Sequence, residues 1–381
     1  MLYLDNNSTT PLAPEVTHAM EQCWREEFGN PSSMHRVGQA ARHAVETARE
    51  QVAALLGADS REIVFTSGGT EADNLAILGT FAANLVKRHV VTTAVEHPAV
   101  YETCKRLQTQ GYRATFVGVD SSGALDLDAF TAALDADTGL ASVMYVNNET
   151  GVIFPIREVA EICAAKGVPL HVDAVQAAGK IEIDVKHLGV SLLSISAHKF
   201  HGPKGTGALY VGRGARLRNL FVGGHQEHEI RPGTQNVAGI VGLGAAAELA
   251  RRRLAEGLGG VAALRDRLES GILERVRIAG VIGDRNHRAV NTAEIGFESL
   301  QADAILLALS EEGLCASAGA ACSSGSLEPS HVLTAMGIDS RLAHGAIRFS
   351  LSYETTGEDV DRALEIVPRV IERLASLTPV K

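Results

Sequence analysis

At 381 residues the chain exceeds what one ordinary hydrophobic core fills, so two domains are expected, and 45% hydrophobic with 21% charged residues excludes extensive disorder. The formal net charge of -10 repels a phosphate backbone, and no basic stripe with interleaved aromatics offsets it, which argues against nucleic-acid binding. Five cysteines, an odd number with no CxxC pair, fit neither a disulfide framework nor a zinc site and point to a reducing cytoplasm.

In chain order, residues 2–5 read as a short strand ahead of the turn-rich NNSTTPLAP, and periodicity does not say which domain it joins. The amino terminus also lacks the basic-then-apolar pattern of an export signal. Val37, Ala41, Ala44, Val45, Ala48, Val52 and Leu55 recur every three or four positions, which predicts a helix with one buried stripe, ending at Gly57. Seven apolar runs follow, at 62–66, 89–95, 113–119, 141–147, 169–175, 191–197 and 207–212, most of them separated by helix-length segments. Because they are continuous rather than alternating, they suit strands covered on both faces, and so a mainly parallel α/β sheet between helices.

Beyond Gly212 the pattern changes. Helices are predicted near 236–255 and 261–275, then strands at 290–297, 314–317 and 346–352, and a smaller α+β domain is read as starting near residue 256. The apolar stretch 239–250 is too short to cross a bilayer and carries Glu248, so no membrane partner is expected. Arg251, Arg252 and Arg253 close that stretch as a solvated helix end rather than a nucleic-acid patch.

Four segments carry chemistry. In SGGTEADN, from Ser67, Gly68 and Gly69 form a turn between a strand and a helix. Their amides, the helix dipole and the Thr70 hydroxyl make an anion cradle, although such a turn is often only a turn. With GxGxxG and GxxxxGK[ST] absent, the cradle suits one phosphate better than two. HVDAVQ, from His171, puts Asp173 and Gln176 at the carboxyl end of an apolar strand, the edge where open α/β sheets bind ligands. A carboxylate there needs a cation, such as a protonated pyridine nitrogen, unless it is a salt-bridged or capping aspartate.

In SISAHKFHGPKGTGALY, from Ser194, Lys199 follows an apolar strand, a place hard to explain structurally for an amine that titrates near 10.4 unless it forms an imine. His198 and His201 stand at HxxH spacing, but no third ligand motif accompanies them and no metal is expected. AGAACSSGSLEPSHVL, from Ala318, surrounds Cys322 with small residues that leave a thiol reachable. Cys23, Cys104 and Cys163 read as buried, inert thiols, and Cys315 is left undecided.

These four segments, together with YLDNNSTTP, FGNPSSMH, VEHPAV, VNNETG, GGHQE, RPGTQN and IRFSLS, stand in one order along nearly the whole chain. In that order the chain resembles the cysteine desulfurases of the class V aminotransferase-like, pyridoxal-phosphate-dependent group, particularly those feeding iron–sulfur cluster assembly. The resemblance implies an aspartate aminotransferase-like fold of type I. A large domain over 15–255 would hold the seven-stranded sheet, and a small domain of 1–14 and 256–381 would carry the catalytic cysteine loop.

It further implies that Lys199 carries pyridoxal 5'-phosphate covalently, Asp173 pairs with the pyridine nitrogen, Gln176 bonds the phenolic oxygen and His97 stacks on the ring and carries protons. Gly69, Thr70, Ser196 and His198 would hold the phosphate, with Thr234 reaching in from the second subunit of a homodimer with shared sites. Asn148 and Arg348 would bind the carboxylate of L-cysteine, and Cys322 would take its sulfur as a persulfide for an acceptor protein such as an iron–sulfur scaffold. Ala318 and Ala320 stand where serines are common in the family, and neither change removes a catalytic group. A selenocysteine lyase or a cysteine-sulfinate desulfinase shares Lys199 and Asp173, as do aminotransferases and kynureninases, which need no cysteine. A non-catalytic regulatory or binding module is the reading from another class.

Overall fold

The seven apolar runs come together as one sheet in a computed structural model that describes residues 1–319 and 329–377. Its strands are Ile63–Thr66, His89–Thr93, Arg113–Val117, Thr138–Met144, Leu170–Asp173, Leu192–Ser196 and Gly207–Val211. Across the sheet they run first, seventh, sixth, fifth, fourth, second, third, and only the seventh is antiparallel to its neighbours. Side chains alternate between two cores: Val90, Leu192 and Leu209 face one, while Val91, Leu193 and Ala208 face the other. Burial on both faces is why the runs are continuously apolar, and the edge strand Arg113–Val117 is the half-covered exception.

The helix Arg36–Leu56 buries the predicted stripe except Val37 in its first turn, and it stops at Gly57, whose φ of 66° is left-handed. It packs along Val237–Glu256. A Cβ on Gly244 of the second helix would lie 2.6 Å from Cα of Ala48, so glycine lets the two close. At the end of that second helix Arg251 and Arg253 pair with Glu248 and Glu256, as a solvated face does.

After helix Gly259–Arg275, the strands Ala279–Ile282, Thr292–Phe297 and Ala346–Ser350 form an antiparallel sheet with the second in the middle. Sequence reading passed over Ala279–Ile282, whose side chains are mostly half-buried, and the carboxyl-terminal helix Gly357–Leu377, which carries Pro368 in its interior. The question left open at the amino terminus is settled by pairing: Leu2–Tyr3 lies parallel to Leu314–Cys315 and Asp5 bridges to Ser350. Leu2 and Leu4 are buried in a separate core with Ile295, Phe297, Ile347, Phe349 and Val367. Among the described residues no helix is long and apolar enough to cross a membrane.

Candidate active site

The site assembles where strands of the large sheet end. The turn Ser67–Gly69 connects Ile63–Thr66 to the helix Gly69–Ala83, and a Cβ on Gly69 would lie 2.7 Å from Cγ2 of Val175, with Ser196 Cβ beyond it at 3.6 Å. A side chain would therefore fill the cradle. Thr70 is exposed in the first turn of that helix, whose leading amides have no intrahelical acceptors. Ser196 is the buried last residue of its strand, and His198 and Lys199 follow in the tight turn Ala197–Lys199. The HxxH pair is split: His198 Nδ1 lies 3.2 Å from the Thr9 hydroxyl and His201 Nδ1 lies 3.1 Å from the Pro11 carbonyl.

Asp173 closes the strand Leu170–Asp173 and is buried, its Oδ1 accepting from the Val175 amide at 3.0 Å. Burial pushes its carboxyl up to about 6, against the pull of that hydrogen bond and of Lys199. Lys199 Nζ donates to the main-chain carbonyls of Asn7 at 2.6 Å and Ser8 at 2.8 Å. Gln176 Nε2 donates to the same Asn7 carbonyl at 2.8 Å, and its Oε1 accepts from Lys180. Asn7 and Lys180 were not singled out from the sequence, although Asn7 lies inside YLDNNSTTP and Lys180 four residues past Gln176.

His97 caps the helix Pro98–Thr109, its Nδ1 accepting from the Ala99 amide at 3.1 Å, so the neutral ring carries its proton on Nε2. Burial, then the charges of Lys199 and His331, push it down to about 4. The titration near neutrality expected of an unperturbed histidine is therefore not what this environment gives. His331, another residue the sequence reading left without a role, holds the Glu96 carbonyl through Nε2 at 2.9 Å.

Buried acids lie behind Asp173. Asp73 is raised well above the ordinary range by burial and by Asp173, while burial lowers His171 to about 3; their 3.6 Å contact is thus between neutral groups rather than an ion pair. Glu96 accepts from Thr93 Oγ1 at 2.7 Å and the Met144 amide at 3.0 Å, and burial lifts it from 4.5 to about 8. Between those values the native protein keeps a proton that the unfolded chain has lost, so stability from this group falls as pH rises. Glu96→Gln is expected to gain stability relative to the parent between about pH 5 and about pH 8. Denaturant midpoints at both values check this, and an equal difference at the two would refute it.

Arg348 is 2% exposed at the centre of the smaller sheet's edge strand Ala346–Ser350. Its guanidinium donates to Asp5 Oδ1 at 2.9 Å, Ser8 Oγ at 2.7 Å and the Asn148 carbonyl at 2.7 Å. Asn148 thereby meets Arg348 through its main chain, beside the same amino-terminal segment that holds Lys199. Thr234 is exposed on a loop tied to the cradle by Arg231, which pairs with Glu71 at 2.9 Å. The same loop is anchored by Glu227, buried and paired with Arg49 at 2.7 Å, inside a run of left-handed residues at Glu227, His228 and Glu229. Cys322 and Ala320 lie outside the described residues. Cys23 and Cys163 are buried and pushed up to about 11 and about 12, and burial raises Cys104 further, which suits inert thiols. Cys315 is half-buried.

The family model for aminotransferase class-V matches residues 2–363. The chain belongs to the class-V aminotransferase family. Among its relatives, a cysteine desulfurase of Nostoc sp. (strain PCC 7120) is 52% identical, covering 100% of this chain and 95% of that protein. The cysteine desulfurase NifS of Azotobacter vinelandii is 48% identical over 99% of this chain and 94% of its own. Of solved class-V structures, a NifS-like protein superposes with a TM-score of 0.92 at 39% identity, covering 98% of this chain and 100% of the other. SspA in complex with cysteine follows at 0.81 and 34%, covering 92% and 99%. The α/β fold with its seven-stranded, mostly parallel sheet is thus the family's fold.

Proposed function

We propose that the protein is a pyridoxal-phosphate-dependent cysteine desulfurase that converts L-cysteine to L-alanine and passes the sulfur to Cys322 as a persulfide. The observation that carries this reading is that the Lys199 amine and the buried carboxyl of Asp173 stand at one sheet edge, near enough that the charge of Lys199 pulls on that carboxyl. The cofactor fits the residues present: a pyridinium offsets the burial of Asp173, and its single phosphate suits the cradle that a Cβ on Gly69 would fill. Bound there, the protonated pyridine ring withdraws electrons from the substrate's α-carbon.

The chain's own residues do the rest. Asp173 would hold the ring's proton, and Gln176, whose Nε2 donates to the Asn7 carbonyl and whose Oε1 accepts from Lys180, would turn its amide group to the ring oxygen. Thr70, Ser196 and His198 grip the phosphate, joined by Thr234 from a second copy of the chain in a homodimer. Arg348, backed by Asn148, fixes the substrate carboxylate as a planar fork, for which its Nη groups exchange the Asp5 and Ser8 contacts. Lys199 moves the proton at the α-carbon. His97 would stack on the ring and, neutral with Nε2–H, donates a hydrogen bond there; carrying a proton requires its Nδ1 first to release the Ala99 amide and take one up.

The Cys322 thiolate attacks the substrate's sulfur: an S–S bond forms as the C–S bond breaks, its electron pair stays with carbon, and a proton added to that carbon gives alanine. The persulfide then passes to an acceptor protein such as an iron–sulfur scaffold, in the reducing cytoplasm. The division into a large domain over 15–255 and a small domain of 1–14 and 256–381 is part of this reading, supported by the separate core around Phe297 and Phe349. The test is release of alanine and sulfide from L-cysteine with added reductant by protein of recorded visible spectrum. Equal amounts of both are expected; a yellow protein inert toward cysteine but active on the sulfinate, on selenocysteine or in transamination would overturn the reading.

A further inference from the structure

Asn7 sits at a junction between the smaller sheet and the turn past Asp173. It is 2% exposed, and each of its polar atoms is engaged. Its amide donates to Ser350 Oγ at 2.9 Å, and its Nδ2 donates to Thr292 Oγ1 at 2.9 Å and the Asn148 carbonyl at 3.3 Å. Its Oδ1 accepts from Lys180 Nζ at 3.1 Å and Asn291 Nδ2 at 3.0 Å. Its carbonyl receives both Lys199 Nζ and Gln176 Nε2. One side chain thus ties the smaller sheet to the turn past Asp173, and one carbonyl of the same residue meets the amine on which the reaction depends.

We propose that Asn7 is a positioning residue for Lys199: with Ser8 its carbonyl receives the amine whenever that amine is not bonded to the cofactor, and its side chain fixes the carbonyl in place. The inference rests on the reading of Lys199 as the cofactor-bearing amine. Two carbonyl oxygens at 2.6 and 2.8 Å are acceptors matched to an ammonium group, which has three donors and no acceptor. A lysine displaced by substrate needs such a receiver, because an unguided four-carbon stem samples many rotamers and the proton must reach one carbon. Charge alone does not hold it there. Asp173 attracts it, Lys180, His97 and His198 face it as basic groups, and Arg348 and Asp5 lie beyond Ser8. Directed acceptors supply the geometry that this mixture of charges does not.

Losing the side chain in Asn7→Ala removes the anchors at Thr292, Asn148, Lys180 and Asn291, and the carbonyl is no longer fixed. Asn7→Asp keeps Oδ1 for Lys180 and Asn291 and is nearly isosteric, so it serves where the alanine variant does not fold. The measurements are kcat and KM for L-cysteine, and the rate at which protein stripped of cofactor regains its visible band when pyridoxal phosphate is added. For Asn7→Ala, kcat and the regain rate are expected to fall about tenfold or more with KM within about twofold, and for Asn7→Asp by less. A purely structural role would lower the thermal midpoint and leave the regain rate of the folded protein unchanged. Parental kcat and regain rates in both variants would overturn the proposal. A parent that regains its band but makes no alanine would instead overturn the desulfurase reading and leave this one standing.

Discussion

Lys199→Ala is expected to lose the visible band of the bound cofactor and to make no measurable alanine from L-cysteine. Lys199 lies in the tight turn that follows the buried strand Leu192–Ser196 and donates its amine to the Asn7 and Ser8 carbonyls; in the proposed mechanism it both carries the cofactor and moves the substrate's proton. Loss of a positioned general base alone lowers rates by about 10²–10⁴, and here the covalent attachment goes with it. The neighbouring Lys180 is held elsewhere, its amine engaged by Asn7 Oδ1 and Gln176 Oε1. Absorbance and alanine release on the purified variant check this, and a retained band with turnover would place the cofactor on another residue.

Cys322→Ala is expected to separate the two halves of the reaction. In the proposed mechanism cofactor attachment depends on Lys199 and Asp173, so the visible band should persist at parental intensity, whereas sulfide and alanine release should fall about a thousandfold or more, the scale of removing a nucleophile. The buried thiols Cys23, Cys104 and Cys163 cannot substitute, because burial holds them protonated. Cys315 can be examined with the same assay in a Cys315→Ser background: if it traps Cys322 as a disulfide on oxidation, that variant withstands peroxide better than the parent. Sulfide released at the parental rate by Cys322→Ala would remove the persulfide from the mechanism.

Much of the fold was legible because both faces of the large sheet are covered, which forces continuous apolar runs that flanking Gly-rich turns punctuate. The runs at 89–95 and 191–197 mark strands to within a few residues of His89–Thr93 and Leu192–Ser196. The strand Ala279–Ile282 escaped because its half-exposed, glycine-containing run has no such signature, and Gly357–Leu377 because Pro368, a residue that ordinarily ends a helix, stands inside it. In the site, Asp173 and Lys199 stood out as charged residues at the ends of apolar strands. Asn7 did not, because an asparagine in a turn-rich segment is ordinary until its partners are known.

The sequence by itself determined the chemical inventory and its local setting: a glycine cradle before a helix, a carboxylate and an amine at strand ends, a cysteine among small residues. Those follow from neighbours within a few positions, where propensity and periodicity act. The tertiary structure alone decided that Leu2–Tyr3 pairs with Leu314–Cys315, that Asn7 meets Lys199 and Lys180, and that His97 is held neutral. Each joins groups far apart in the chain or depends on how much water a group loses, and neither long-range contact nor desolvation is written in local pattern.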